Sequence, residues 1–263
     1  MKLGYLGSGA VVVFSALIGT ASAATFTGTT AGCSNTCTIT VITAPSTYTQ
    51  PTPLPFTPLD LGTSLTAGGH GTSPVIPAGS GITSITFPGA GTVSPFSGVY
   101  SGNTTSVALS PFGGGPGNSN TPTNNYLVAQ GGGGEVDVTY AAPQTTLEML
   151  WGTVDPTPST YNMLTFTAGG ATITGADLDT ITGGLFTANP GAEDVAVLIS
   201  GLASFTVLKA SDAATAAFEF DVASVPAPTI GQGLPVLLAL GGMLLGMKFY
   251  KRGIGRSIGA AAA

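Results

Sequence analysis

Charge is what this sequence has least of. Only 7% of its 263 residues are Asp, Glu, Lys or Arg, against roughly a quarter in an ordinary globular domain. Helix surfaces are built from those residues and Gln, so a helical bundle is excluded. Six cations in the whole chain cannot make a nucleic-acid interface. One histidine and two cysteines are too few for the four ligands of a zinc site. A nucleophilic triad would have to use His70 as its base, and there is no Gly-Lys-Ser/Thr phosphate loop. No catalytic residue is assigned. Hydrophobic residues still make up 43%, which excludes a disordered polar chain. Glycine is abundant, at 40 residues, as is proline, at 19. With many Thr and Ser, that is the composition of short strands separated by turns.

The two ends carry export and membrane features. Residues 1–23 read as a signal peptide: Lys2, an apolar run from Ala10 to Gly19, and the small-residue site Ala21-Ser22-Ala23. From Ile230 to Met247 there is no charge over 18 residues, close to the minimum for crossing a bilayer. Lys248, Lys251, Arg252 and Arg256 follow, a basic cluster that stays cytoplasmic by the positive-inside rule. A transmembrane helix over about 230–250 is therefore expected, with the preceding chain outside and the membrane as a partner. Between Ala24 and Val225 lie all twelve acids and one cation, Lys209, a net of −11. Such a surface repels phosphate backbones, so nucleic acid is not a partner.

Val225-Pro226-Ala227-Pro228, a short polar step, an apolar helix and a basic cluster resemble the PEP-CTERM sorting signal of bacterial surface proteins. Here Pro226, Ala227 and Pro228 stand where the family has Pro-Glu-Pro. The middle of the chain is similar to a family of exosortase-dependent surface proteins. The matching pieces are Gly131–Gly134, Pro143-Gln144, Leu150-Trp151-Gly152-Thr153-Val154-Asp155, Tyr161-Asn162-Met163-Leu164-Thr165-Phe166 and the closing strand Ala217–Val222. The insert Pro156–Thr160 departs from the family spacing. The resemblance implies a non-enzymatic protein exported to the cell surface, with an exosortase-type sorting protease as a partner.

Strand patterning gives the fold class independently. Val136, Val138 and Tyr140 alternate with Glu135, Asp137 and Thr139, and Phe218, Phe220 and Val222 alternate with Glu219 and Asp221, each predicting a strand with one wet face. Thr36–Thr43, Ile82–Phe87, Thr105–Leu109, Leu147–Trp151, Leu164–Thr167, Ala171–Thr174, Val195–Ile199 and Phe205–Lys209 are further strand candidates. Many short strands predict an all-β, antiparallel β-sandwich of jelly-roll type, with Trp151, Tyr161, Phe166, Phe218 and Phe220 in its core. The only expected helix is the membrane segment. The organisation reads as signal peptide 1–23, N-terminal hairpin and Pro/Thr-rich linker 24–60, β-sandwich ectodomain 61–224, sorting and anchor segment 225–256, and tail 257–263.

Within the exported part, Cys33 and Cys37 are expected to pair, since export permits a disulfide. His70, in Gly68-Gly69-His70-Gly71, reads as a solvated loop residue. Calcium is the one cofactor with ligands to consider, through Asp177, Asp179, Glu193 and Asp194 in expected loops. Glycoside hydrolysis would need a carboxylate pair, Asp155 or Glu148 with Asp194 or Glu219. Tyr100, Tyr126, Tyr161 or Trp151 could stack on a pyranose ring if exposed, which keeps polysaccharide open as a partner. The sequence thus predicts a surface-sorted structural or adhesive protein, with a carbohydrate-binding module, calcium-assisted or not, as the alternative.

Overall fold

The computed structural model describes residues 23–30, 33, 37–44, 54–59, 61, 70–92, 96–101, 111, 125–158, 160–167, 170–188, 194–213 and 217–224. Strands take 56% and helices 8%, so the protein is all-β. The signal segment through Ser22, the strand expected at Thr105–Leu109 and Glu193 lie outside the described residues. So does the whole sorting segment, with Pro226, Ala227, Pro228, the apolar helix, Lys248, Lys251, Arg252 and Arg256. No helix among the described residues is long and apolar enough to cross a membrane.

The elements run β1 (Thr25–Thr29), β2 (Thr38–Thr43), β3 (His70–Gly71), β4 (Ile82–Gly89), β5 (Gly98–Ser101), β6 (Asn125–Ala129), β7 (Gly134–Trp151), β8 (Met163–Phe166), β9 (Thr172–Thr174), α1 (Gly175–Thr182), α2 (Leu185–Ala188), β10 (Val195–Asp212) and β11 (Phe218–Val222). Every strand pair among them is antiparallel. Strands follow the order β1-β2-β10-β7-β11-β6-β5-β3, while β4 joins β7, and β8, paired with β9, joins β10.

The long pair β7–β10 organises everything else. Four of the expected short strands are two halves of these two strands: Glu135–Tyr140 and Leu147–Trp151 in β7, Val195–Ile199 and Phe205–Lys209 in β10. Between the halves the ladder slips, with register shifts between Ser200 and Val207. Pro143, which has no N–H to donate, falls opposite that slip, and Gly201 carries it at φ 76°. Bulges are where a strand can bend without ending. One half of the ribbon carries β2 and β11 at its sides, the other β8 and β4. Strand β2 draws β1 into the sheet, so the N-terminal hairpin is integral to it rather than tethered by a linker. The end of the proline-rich stretch also joins: Leu59 N–H donates to Val222 O at 2.8 Å, and Pro58 bridges Ala223.

Trp151, Phe166, Phe218 and Phe220 are fully buried, as expected. Tyr161 is only partly so. A wet face was expected for β11, yet all five of its residues are buried. The reason is a second apolar cluster of Tyr100, Tyr126, Val128, Leu150, Ala196 and Ala217, with Leu54, Phe56 and Ile42 against it. It covers the face of β11 opposite the main core, and Glu219 and Asp221 lie under it. Two short helices, α1 and α2, stand where loops were expected. Thr174 caps α1 in a reciprocal box with Asp177, and Gly183 closes it in the left-handed region at φ 75°.

Candidate functional site: the Thr153 loop

A buried polar network begins where β7 ends. Trp151 is sealed in the core, its ring 4.7 Å from that of Phe218. Gly152 then donates its N–H to Glu219 O at 2.8 Å. A β-carbon at 152 would already touch the Glu219 side chain at 3.2 Å. Thr153 follows with φ 44°, a left-handed conformation that costs a β-branched residue roughly 1–3 kcal/mol.

Three side chains hold it there. Thr153 N–H donates to Asp194 Oδ1 at 3.3 Å, and its hydroxyl donates to Glu219 Oε2. Its carbonyl accepts from Asn162 Nδ2 at 3.4 Å. Asn162 is itself left-handed, at φ 45°, and its N–H donates to Asp212 Oδ2 at 3.4 Å. Both ends of β10 and the middle of β11 thus supply carboxylates to one loop. All of these residues are buried.

The acids are felt by the tyrosines beside them. Burial pushes the Tyr126 hydroxyl well above its ordinary range, with the charges of Glu219 and Asp194 adding to it. Tyr100 is raised to about 12, chiefly by burial. Its hydroxyl donates to Phe96 O at 2.8 Å and accepts from Gln130 Nε2 at 3.0 Å. His70 does not lie in a solvated loop. It forms β3 against β5 and packs its ring edge-on to Tyr100 at 4.9 Å. Gly98 permits this, because a β-carbon there would collide with the imidazole.

Each sequence-predicted site residue can now be placed. Asp177 and Asp179 are helical rather than in loops. Asp177 closes the α1 cap and accepts from the Thr30 hydroxyl. Asp179 accepts from Phe186 N–H at 2.7 Å, Thr187 N–H at 2.9 Å and the Thr187 hydroxyl at 2.6 Å. Asp194 is the Thr153 anchor. Among the described residues, no three or more His, Cys, Asp or Glu side chains gather as a metal group. Asp194 and Glu219 do converge, but inside the protein, each giving an oxygen to Thr153. Trp151, Tyr100 and Tyr126 are fully buried, which removes three of the four aromatics considered for sugar stacking.

Cys33 and Cys37 form a disulfide with Cα atoms 5.7 Å apart. The closed loop is short, so its reduction should lower stability by about 2 kcal/mol, below the ~3 kcal/mol of a 15-residue loop. Urea unfolding with and without reductant measures this, with the emission of the sole tryptophan as the signal.

Asp155 follows directly on this loop. Burial raises its pKa from 3.8 to about 6. The folded state therefore holds a proton that the unfolded chain releases as pH rises from about 4 to about 6. Stability should fall across that window and stay level above it. With its partial exposure discounted, the loss is on the order of 1 kcal/mol. Asp155→Asn should recover that amount at neutral pH and flatten the dependence, as read from urea midpoints across the window.

The fold and this loop define a class: an all-β protein whose conspicuous tryptophan-glycine segment is clamped by acids from distant strands. No family model, no curated protein and no solved structure matches the chain.

Proposed function

We propose that the chain is an exported bacterial envelope protein, sorted to or anchored at the cell surface. It serves there as a non-enzymatic structural or adhesive component of the envelope or its exopolysaccharide matrix. The observation that carries this is the combination of two ends around one middle: a signal peptide at 1–23, a PEP-CTERM-like segment at 225–256, and between them a section with a net charge of −11. In this reading the segment of about 230–250 spans the inner membrane until an exosortase-type protease acts near Pro226-Ala227-Pro228.

The ectodomain is taken as a sandwich. The two halves of the β7–β10 ribbon carry different neighbours, and Val41, Met149 and Val197 from one half share a hydrophobic cluster with Ile85, Val138 and Phe166 from the other. A non-enzymatic role is supported by the burial of Asp194 and Glu219 and their use in holding Thr153. The Cys33–Cys37 disulfide suits an oxidising compartment.

Intact-mass measurement of the surface and membrane fractions tests the sorting route. A mature chain ending between Pro226 and Gly233 is the expected result. A chain retaining Leu234 to Ala263 would make the segment a permanent anchor and overturn sorting. The carbohydrate-binding alternative is less supported, since Tyr161 alone of its four aromatics is not buried. Retention on a glycan array that a calcium chelator abolishes would restore it.

A further inference from the structure

Asp155 is followed by Pro156, and no other Asp-Pro pair occurs in the sequence. Asp-Pro is chemically the weakest peptide bond toward acid. The side-chain carboxyl reaches its own main-chain carbonyl carbon in a five-membered ring, and the proline nitrogen is a comparatively basic leaving group. Intramolecular attack of this kind is accelerated when the reacting groups are held in place.

Here the fold holds them. Upstream, Thr153 is clamped by Asp194, Glu219 and Asn162. Downstream, Pro156 is buried, whereas Thr157 is exposed and leaves a way in for water. The Asp155 carbonyl lies against Gly175, the first residue of α1, where a β-carbon would fall well under 3.0 Å from the Asp155 oxygen. The N-terminus of a helix presents outward N–H groups and a positive dipole end. The positive end of that dipole favours an oxygen that gains negative charge. A residue larger than glycine at 175 would push the carbonyl away from it.

We propose that the Asp155–Pro156 bond is an autoproteolytic site, cut by the Asp155 carboxyl while its carbonyl is packed against Gly175 at the start of α1. In the first step a carboxyl oxygen attacks the Asp155 main-chain carbonyl carbon and a cyclic anhydride forms. The C–N bond to Pro156 breaks, and the carboxyl proton passes to the departing proline nitrogen. Water then opens the anhydride, leaving two carboxyls on Asp155 and a free amine on Pro156. One water is consumed and nothing is oxidised or reduced.

The reactive form is the neutral acid, which carries both nucleophile and proton. Burial keeps that form present up to about pH 6. No charged neighbour contributes to the shift: Asp177 is turned to Thr174 and Thr30, Asp179 to Phe186 and Thr187, and Asp194 and Glu219 to Thr153. After the cut both pieces remain in one sheet, because β7 of the first pairs with β10 and β11 of the second. The residues up to Asp155 would then be held to the rest of the chain by sheet pairing and the shared core alone.

The test uses the full chain purified at neutral pH and incubated at about pH 5 and about pH 8, then denatured for intact-mass measurement. Two fragments meeting at Asp155 and Pro156, together heavier than the parent by one water, are expected to accumulate at least about tenfold faster in the acid sample. Asp155→Ala and Asp155→Asn should stay uncut while keeping the native Trp151 emission. An intact wild-type chain at both pH values would overturn the proposal. So would a bond cut equally fast in the urea-unfolded chain, since the fold would then contribute nothing.

Discussion

Alanine at Gly134 should cost the fold about 3 kcal/mol or more, while alanine one residue earlier should cost only about 1–2 kcal/mol. The two glycines sit side by side in the run that opens β7, yet they are glycine for different reasons. Gly133 has φ 94° and open space around the missing β-carbon, so Gly133→Ala meets only the left-handed backbone penalty. At Gly134 the φ is ordinary and the obstacle is contact. A β-carbon would fall well under 3.0 Å from both the carbonyl oxygen and the nitrogen of Gln130, with Ser97 Oγ at 2.6 Å. Backbone atoms cannot rotate aside. The turn would have to open, and with it go Gly134 N–H to Gln130 O at 2.8 Å and Gly133 N–H to Asp212 O at 2.9 Å. Those bonds fix where β7 begins relative to the end of β10. Urea midpoints of the two variants, followed by Trp151 emission, decide the matter. Equal costs would mean that no close approach exists at Gly134.

That contrast also shows what the sequence could and could not reveal. Alternation exposed the first half of β7, since Val136, Val138 and Tyr140 face a core and Glu135, Asp137 and Thr139 do not. The same pattern misled in β11. Periodicity reports which residues differ, and it cannot say that a second cluster will cover the polar side as well. Continuity through Ser200 and Gly201 was hidden because turn-forming residues mark bulges as readily as chain reversals. Helix α1 did leave a trace, the Thr174-x-x-Asp177 capping box closed by Gly183. It was masked by the scarcity of ordinary helix formers around it. The candidate site was legible as pieces: Trp151 through Asp155 and Tyr161 through Phe166 stood out as segments. Their anchors did not, because Asp194 and Glu219 reach Thr153 from 41 and 66 residues away. Only the sheet brings them together.

The second large effect is expected at Thr153 itself. Thr153→Val keeps the shape and the β-branch, so the left-handed backbone is no worse off, but it deletes the hydroxyl that donates to Glu219. Leaving a buried carboxyl oxygen without this donor should cost about 2–3 kcal/mol. Thr153→Ser, which restores the donor, should return close to the parent stability. Thr153→Gly relaxes the φ of 44° while losing the same bond, and should fall between the two. The carboxylate can be tested from its own side. If Glu219 and Thr153 act as a pair, the loss in Thr153→Val combined with Glu219→Gln will be smaller than the sum of the single losses, with a coupling of about 1–3 kcal/mol. Additive losses would mean that the Glu219 carboxylate is stabilised independently of Thr153. The clamp would then be a consequence of where the loop lies rather than what keeps it there. Coupling would instead make the Thr153 backbone a conformation that Asp194 and Glu219 impose. The same clamp sets the position of Asp155 two residues later, so weakening it with Thr153→Val should also slow any acid cleavage at Pro156, while the chain remains folded.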